Sequence, residues 1–132
     1  MSRASKGADG GEMRPEQALL DQLLMNDLSG VAFVRDYLQL QFNPPPIINV
    51  YTACVVHTPT GTDTFGGERF ANLVIGLVGK RVSGVLDANE TLTIVFDGNS
   101  RVEIPYDDAA LVGPEAFEII GRDNLWGIWP GR

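Results

Sequence analysis

The 132 residues contain one Cys and one His. A lone Cys cannot close an internal disulfide, and one thiol plus one imidazole cannot build a zinc site of the usual His/Cys kind. Clustered base is missing too. Lys80-Arg81 is the densest basic feature of a chain whose formal net charge is −7. Phosphate backbones are held by clustered Lys and Arg, so nucleic acid is not an expected partner. The longest apolar-rich run, Ala71 to Val78, is interrupted by Asn72 and Gly76 and is too short to span a bilayer. No apolar stretch follows the first basic residues, so no secretory signal and no membrane contact are expected. The expected compartment is the cytoplasm, where a single Cys54 stays reduced. The glycines form neither a G-x-G-x-x-G nor a Walker phosphate loop: before Gly79-Lys80 a Walker loop needs Gly at 74, where Val stands, and a hydroxyl at 81, where Arg stands. The sequence therefore implies no cofactor, no metal and no recognisable catalytic constellation.

What is present is ordinary globular material, 44% hydrophobic and 20% charged, long enough to bury a core without staples. Residues 1–14 are small, polar and Gly-rich, and are expected to form a disordered tail. Residues 15–132 are expected to form a single globular domain. Pro15 and Glu16 suit a helix start, and Leu19, Leu20, Leu23, Leu24 and Leu28 follow at helical spacing, predicting a helix over 15–26. Leu38, Leu40 and Phe42 alternate with Gln39 and Gln41, which predicts a half-buried strand. Ile47 to Thr58 reads as one long strand or two joined by a bend, and 59–67 as a loop. Phe70, Leu73, Val74 and Leu77 predict a second helix. Strands follow over 82–86 and 91–96, and Asp97-Gly98-Asn99-Ser100 turns the chain into a return strand through Val102, Ile104 and Tyr106. Short strands are expected at 117–120 and 125–129.

The sequence also resembles itself. Leu38, Leu40 and Phe42 match Leu92, Ile94 and Phe96, 54 residues on, and Ile48, Val50 and Thr52 match Val102, Ile104 and Tyr106 at the same offset. Leu28-Ser29-Gly30 matches Leu77-Val78-Gly79 at an offset of 49, with the difference assigned to a longer turn at 87–90. The fold class read from this is α+β and β-rich. Two pseudo-repeated units of one helix plus three strands, about 15–58 and 68–108, and a C-terminal segment at 109–132 would form a sandwich, a half-barrel or a curved antiparallel sheet.

Candidate chemistry is sparse. Cys54 and His57 are three apart on a predicted strand, hence on opposite faces, so they are not expected to form a nucleophile–base dyad. Asp107 and Asp108 are adjacent at a strand end, where carboxylates could bind or serve local turns. Trp126 and Trp129 are the best binding candidates, because an exposed indole buries much area and keeps one polar handle. Glu115, Glu118 and Asp123 give that segment an acidic rim. Two functions follow. The first is a non-catalytic acidic interaction domain, by analogy inhibitor- or immunity-like, for a protein partner with a basic surface, or pairing as a homodimer through a sheet edge. The alternative is a small-molecule binder or unrecognised enzyme with a pocket between the halves, its polarity supplied by Asp107, Asp108, Arg69 or His57.

Overall fold

The computed structural model describes residues 15–130, so the tail expected over 1–14 lies outside the described residues. The chain opens with helix α1 (Pro15–Leu23). Strands β1 (Asp27–Val34), β2 (Tyr37–Asn43), β3 (Ile47–Val50), β4 (Val55–Thr58) and β5 (Gly61–Thr64) follow. Helix α2 (Phe70–Ile75) precedes β6 (Val82–Ala88), β7 (Thr91–Phe96), β8 (Ser100–Pro105), a 3₁₀ turn (Asp108–Ala110), β9 (Phe117–Ile120) and β10 (Trp126–Trp129). The fold is α+β and strand-rich, with two antiparallel five-stranded sheets ordered β10-β9-β3-β2-β1 and β5-β4-β8-β7-β6. No helix among the described residues is long and apolar enough to cross a membrane.

The alternation in the sequence sets which face is covered. In β2 every second residue is buried (Leu38, Leu40, Phe42), and β7 repeats the pattern with Leu92, Ile94 and Phe96. The buried faces of both sheets contribute to one hydrophobic cluster, in which the Phe42 and Phe96 rings stack across the sheets at 6.5 Å and 9°. Each helix adds an apolar face: Leu19, Leu20 and Leu23 from α1, and Leu73 and Val74 from α2 with Leu77 just beyond it. Each such fully buried side chain contributes roughly 1.5–3 kcal/mol of transfer free energy. α1 rests on β10 and β6, and α2 on β5, β4 and β1.

Each helix leads into a three-stranded meander, and each meander into a hairpin that joins the other sheet. Thus β4–β5 extends the second sheet beside β8, and β9–β10 extends the first beside β3. The two meanders touch where they begin. Asp27 bridges Arg81 in antiparallel sense. The Leu28 N–H donates to the Lys80 carbonyl at 3.0 Å and the Val82 N–H to the Asn26 carbonyl at 2.8 Å; Met25 N–H donates to Val82 at 2.9 Å and Gly79 N–H to Leu28 at 2.7 Å. The four bonds form two pairs related by an offset of 54: Leu28–Lys80 with Val82–Asn26, and Met25–Val82 with Gly79–Leu28. Both meanders also bulge at a serine, Ser29 and Ser83, as their first strand pairs with the second.

Several expectations are corrected. α1 ends at Leu23 rather than 26. Of the two readings of Ile47–Thr58, the pair of strands is the one found, and its members lie in different sheets, separated at Tyr51–Cys54 where the chain crosses between them. The expected loop 59–67 contains β5, whose backbone pairs with β4 despite its polar sequence Gly61-Thr62-Asp63-Thr64. The match of Leu28 with Leu77 fails: Leu28 starts a strand, Leu77 follows a helix, and the residue opposite Leu28's role is Val82. The turn from Ala88 to Thr91 is no longer than the one from Val34 to Tyr37, so 87–90 holds no lengthened turn.

Candidate binding face

The outward residues of the first sheet assemble from four strands. Period-two alternation turns Tyr37, Gln39 and Gln41 of β2 away from the core, and register aligns Gln39 with Asn49 of β3 and Asn49 with Glu118 of β9. The side chains link along that row. Gln41 Nε2 donates to Gln39 Oε1 at 2.8 Å, Gln39 Nε2 to Asn49 Oδ1 at 2.9 Å, and Asn49 Nδ2 to Glu118 Oε1 at 3.1 Å. Tyr51 Oη also donates to Glu118 Oε1, at 3.1 Å, and Trp126 Nε1 to Glu118 Oε2 at 2.5 Å. Glu118 is the hub of the network. Partial burial alone would raise its pKa, but the donors Trp126, Asn49 and Tyr51 outweigh it and hold the carboxyl below its ordinary value. Burial pushes the Tyr51 phenol up to about 12, with the Glu118 charge adding to it, so the phenol remains a donor.

Beside this row lies a cleft of about 290 Å³ lined by Asp36, Tyr37, Tyr51, Val112 and Glu115. The Tyr37 and Tyr51 rings meet at 5.2 Å and 56°. At the other side Trp126 is 55% exposed and Ile120 42%. The face therefore combines three aromatic rings, one fixed carboxylate and two further carboxylates at the cleft.

The remaining sequence candidates are scattered. Trp126 and Trp129 are both binding candidates by sequence, with their rings expected on opposite faces of a strand; Trp129 is the inward one, 4% exposed and stacked on Phe117 at 4.9 Å. One step of alternation separates the two: Trp126 pairs with Ile120 on the outer face and Trp129 with Phe117 on the inner. Asp107 and Asp108 lie at the 3₁₀ turn after β8, where the Asp107 carbonyl accepts from Ala110 N–H and no side-chain hydrogen bond joins either to Trp126. Cys54 is wholly buried, which pushes its thiol up to about 12. His57 instead faces outward on the second sheet, with Nε2 2.8 Å from Glu103 Oε1 and Nδ1 3.3 Å from Thr62 Oγ1. Arg101 Nε donates to Glu103 Oε2 at 3.2 Å. Burial opposes ionisation of Glu103, but its bonds to His57 and Arg101 prevail and lower its pKa. Among the described residues no group of three or more His, Cys, Asp and Glu is disposed to hold a metal.

Sequence reasoning missed Tyr37, Gln39, Gln41, Asn49 and Tyr51 as parts of the face. For Gln39 and Gln41 the signal is the outward half of the alternation that marks Leu38, Leu40 and Phe42 as core; Asn49 and Tyr51 lie in a β-branched run that carries no such signal. Compared with protein-family models, with curated proteins and with solved structures, the chain matches none.

Proposed function

We propose that the protein is a non-catalytic, cytoplasmic interaction domain that binds a basic surface of a protein partner with the outer face of its first sheet. The observation carrying this reading is Glu118, a carboxylate fixed by three donors between the rings of Tyr51 and Trp126. A guanidinium or ammonium gains both from a charge that is already desolvated in part and from ring faces beside it. Asp36 and Glu115 at the cleft, and the net charge of −7, steer a cation toward the face. Asp107 and Asp108 contribute to that field without belonging to the network.

The frame that presents this face is, in our reading, a pseudo-repeat packed as a sandwich. In an isologous pairing, a residue meets its own equivalent at the two-fold axis. Asp27 with Arg81, and Phe42 with Phe96, are two such meetings 54 residues apart.

The test is titration of the protein with a hexa-arginine peptide, read by isothermal titration calorimetry at low and physiological salt. Glu118→Gln and Trp126→Ala should each weaken binding tenfold or more, while Asp107→Asn with Asp108→Asn changes it less than threefold. Equal losses in both sets would mean diffuse charge attraction and would overturn the assignment to this face.

A further inference from the structure

A second cavity, of about 240 Å³, opens between α2, the β4–β5 turn and the start of β8. Its floor is Leu73 and Leu77, its rim carries Thr58, Thr60, Asn72 and Ser100, and Lys80 reaches it from one side. From these residues we propose a binding site for a small organic anion, a carboxylate with a short apolar tail. The volume lies just below the usual range for ligand pockets, which fits a ligand of a few heavy atoms.

On the pseudo-repeat read above, on which this inference rests, the corresponding place 54 residues earlier is filled by a side chain. There Gln22 of α1 accepts from the Arg122 N–H at 2.7 Å and donates to the Arg122 carbonyl at 3.3 Å, clamping the helix to the β9–β10 turn. Asn26 Nδ2 donates to the Gln22 carbonyl at 2.6 Å and to the Pro44 carbonyl at 3.3 Å. The packing is so tight that a Cβ on Gly121 would fall 2.5 Å from Gln22 Oε1. In the second half Gly76 stands for Gln22, Lys80 for Asn26 and Gly98 for Pro44. The plug is gone and a cation has been added.

Two features argue against a mere packing gap. Gly76 has φ −63° and ψ −13°, a conformation open to any residue, and its Cβ would press on the Leu73 carbonyl at 3.3 Å and touch that of Asn72 at 3.5 Å. The backbone dihedrals therefore do not demand glycine there, and a side chain needs the Leu73 carbonyl to give by a few tenths of an ångström. Lys80 makes no ion pair with a carboxylate among the described residues, and its Nζ lies 3.3 Å from the place a Cβ of Gly98 would take. A partly covered ammonium in a strongly acidic protein is a natural anchor for a carboxylate. The Asn72 amide supplies a further donor, while Thr58 Oγ1 already donates to the Gly61 carbonyl at 3.1 Å and Ser100 Oγ to the Gly98 carbonyl at 3.5 Å; Leu73 and Leu77 receive the tail. Arg69, whose Nη2 donates to the Thr60 carbonyl at 2.8 Å, adds positive charge behind the rim.

The experiment is a proton–nitrogen NMR titration of the whole chain with sodium acetate, sodium butyrate, sodium phosphate and 1-butanol. Saturable shifts confined to the amides around Thr60, Lys80, Gly98 and Ser100 are expected with butyrate in the millimolar range. Acetate should bind several-fold more weakly, and phosphate and butanol at least tenfold more weakly. Gly76→Gln, which places a plug there, should abolish the shifts in a chain that remains folded by its amide dispersion. Lys80→Gln should weaken butyrate tenfold or more, and serves alone if the glycine variant is unstable. Absence of saturable butyrate shifts, phosphate or butanol binding equal to butyrate, or unchanged binding in Lys80→Gln would overturn the proposal.

Discussion

Replacing each tryptophan in turn separates the two sides of the first sheet. Trp129 sits over Gly127, where an added Cβ would lie 3.2 Å from Cζ3 of the Trp129 ring, and its other face stacks on Phe117. Alanine at 129 removes this whole ring from a site that neighbouring residues fill to contact, so transfer and cavity terms both apply. Together they cost about 3–5 kcal/mol. For a domain of this size that corresponds to a fall in melting temperature of roughly 10–20 °C. Trp126→Ala removes a half-exposed ring and one of three donors to Glu118, which costs about 1 kcal/mol, since Asn49 and Tyr51 still satisfy the carboxylate. Thermal unfolding followed by far-ultraviolet circular dichroism gives both values. The same pair of variants sorts the emission, because the buried Trp129 should emit at shorter wavelength than Trp126. A Trp129→Ala melting temperature within 3 °C of wild type would refute the placement of the ring in the core and the inside–outside register of β10 with it.

Phe42→Ala and Phe96→Ala should each destabilise strongly, and their double-mutant cycle should show a coupling of about 0.5–1.5 kcal/mol; additivity would mean that the rings do not meet across the sheets. Gly79 holds φ 93°, so Gly79→Ala should cost roughly 1–2 kcal/mol in chemical denaturation, whereas Met25→Gly, at φ 68°, should stabilise or leave stability unchanged. Folding raises Cys54 from 9.0, and Tyr51 and Tyr106 from 10.0, to about 12 each. Burial is the largest cause in all three, so the unfolded chain releases these protons first. Stability should be fully present below pH 9 and fall progressively between pH 9 and 12, and Tyr51→Phe with Tyr106→Phe should flatten that decline. Glu118 is shifted the other way: its contribution should be present above its ordinary pKa of 4.5 and be lost as pH falls below that, and Glu118→Gln should remove this part of the acid limb.

Much of the frame was legible because burial writes a period into the chain. Leu38-Gln39-Leu40-Gln41-Phe42 allows only one face of β2 to be wet, and Leu92 to Phe96 says the same for β7. The turn at Asp97–Ser100 announced itself through residues that accept positive φ, as Gly98 and Asn99 do. What stayed hidden depends on partners distant in sequence. β5 has no apolar alternation and exists because β4 supplies its ladder. The crossing at Tyr51–Cys54 lies within one β-branched run, and only the places open beside β9 and β8 divide it between two sheets. The Glu118 network spans up to 69 residues, between Asn49 and Glu118, and no local pattern foretells that bond.

The pseudo-repeat we propose sets Leu19, Leu20 and Leu23 against Leu73, Val74 and Leu77, and all six are buried. A core residue touches many neighbours, so its volume is constrained from several sides. Outward positions have no such constraint, and there the halves part. Gln39 and Asn49 of the first sheet answer to Thr93 and Glu103 of the second, and the hub moves from Glu118 to a Glu103 bonded by His57 and Arg101. Gln22 answers to Gly76, and a sealed contact becomes a cavity beside Lys80. One scaffold thus presents unlike surfaces on its two sides, an aromatic and acidic face on one and a cavity with a cationic edge on the other. Exchanging surface residues between equivalent positions should transfer binding without unfolding the chain, whereas exchanging Phe42 or Phe96 for a small residue should unfold both halves together.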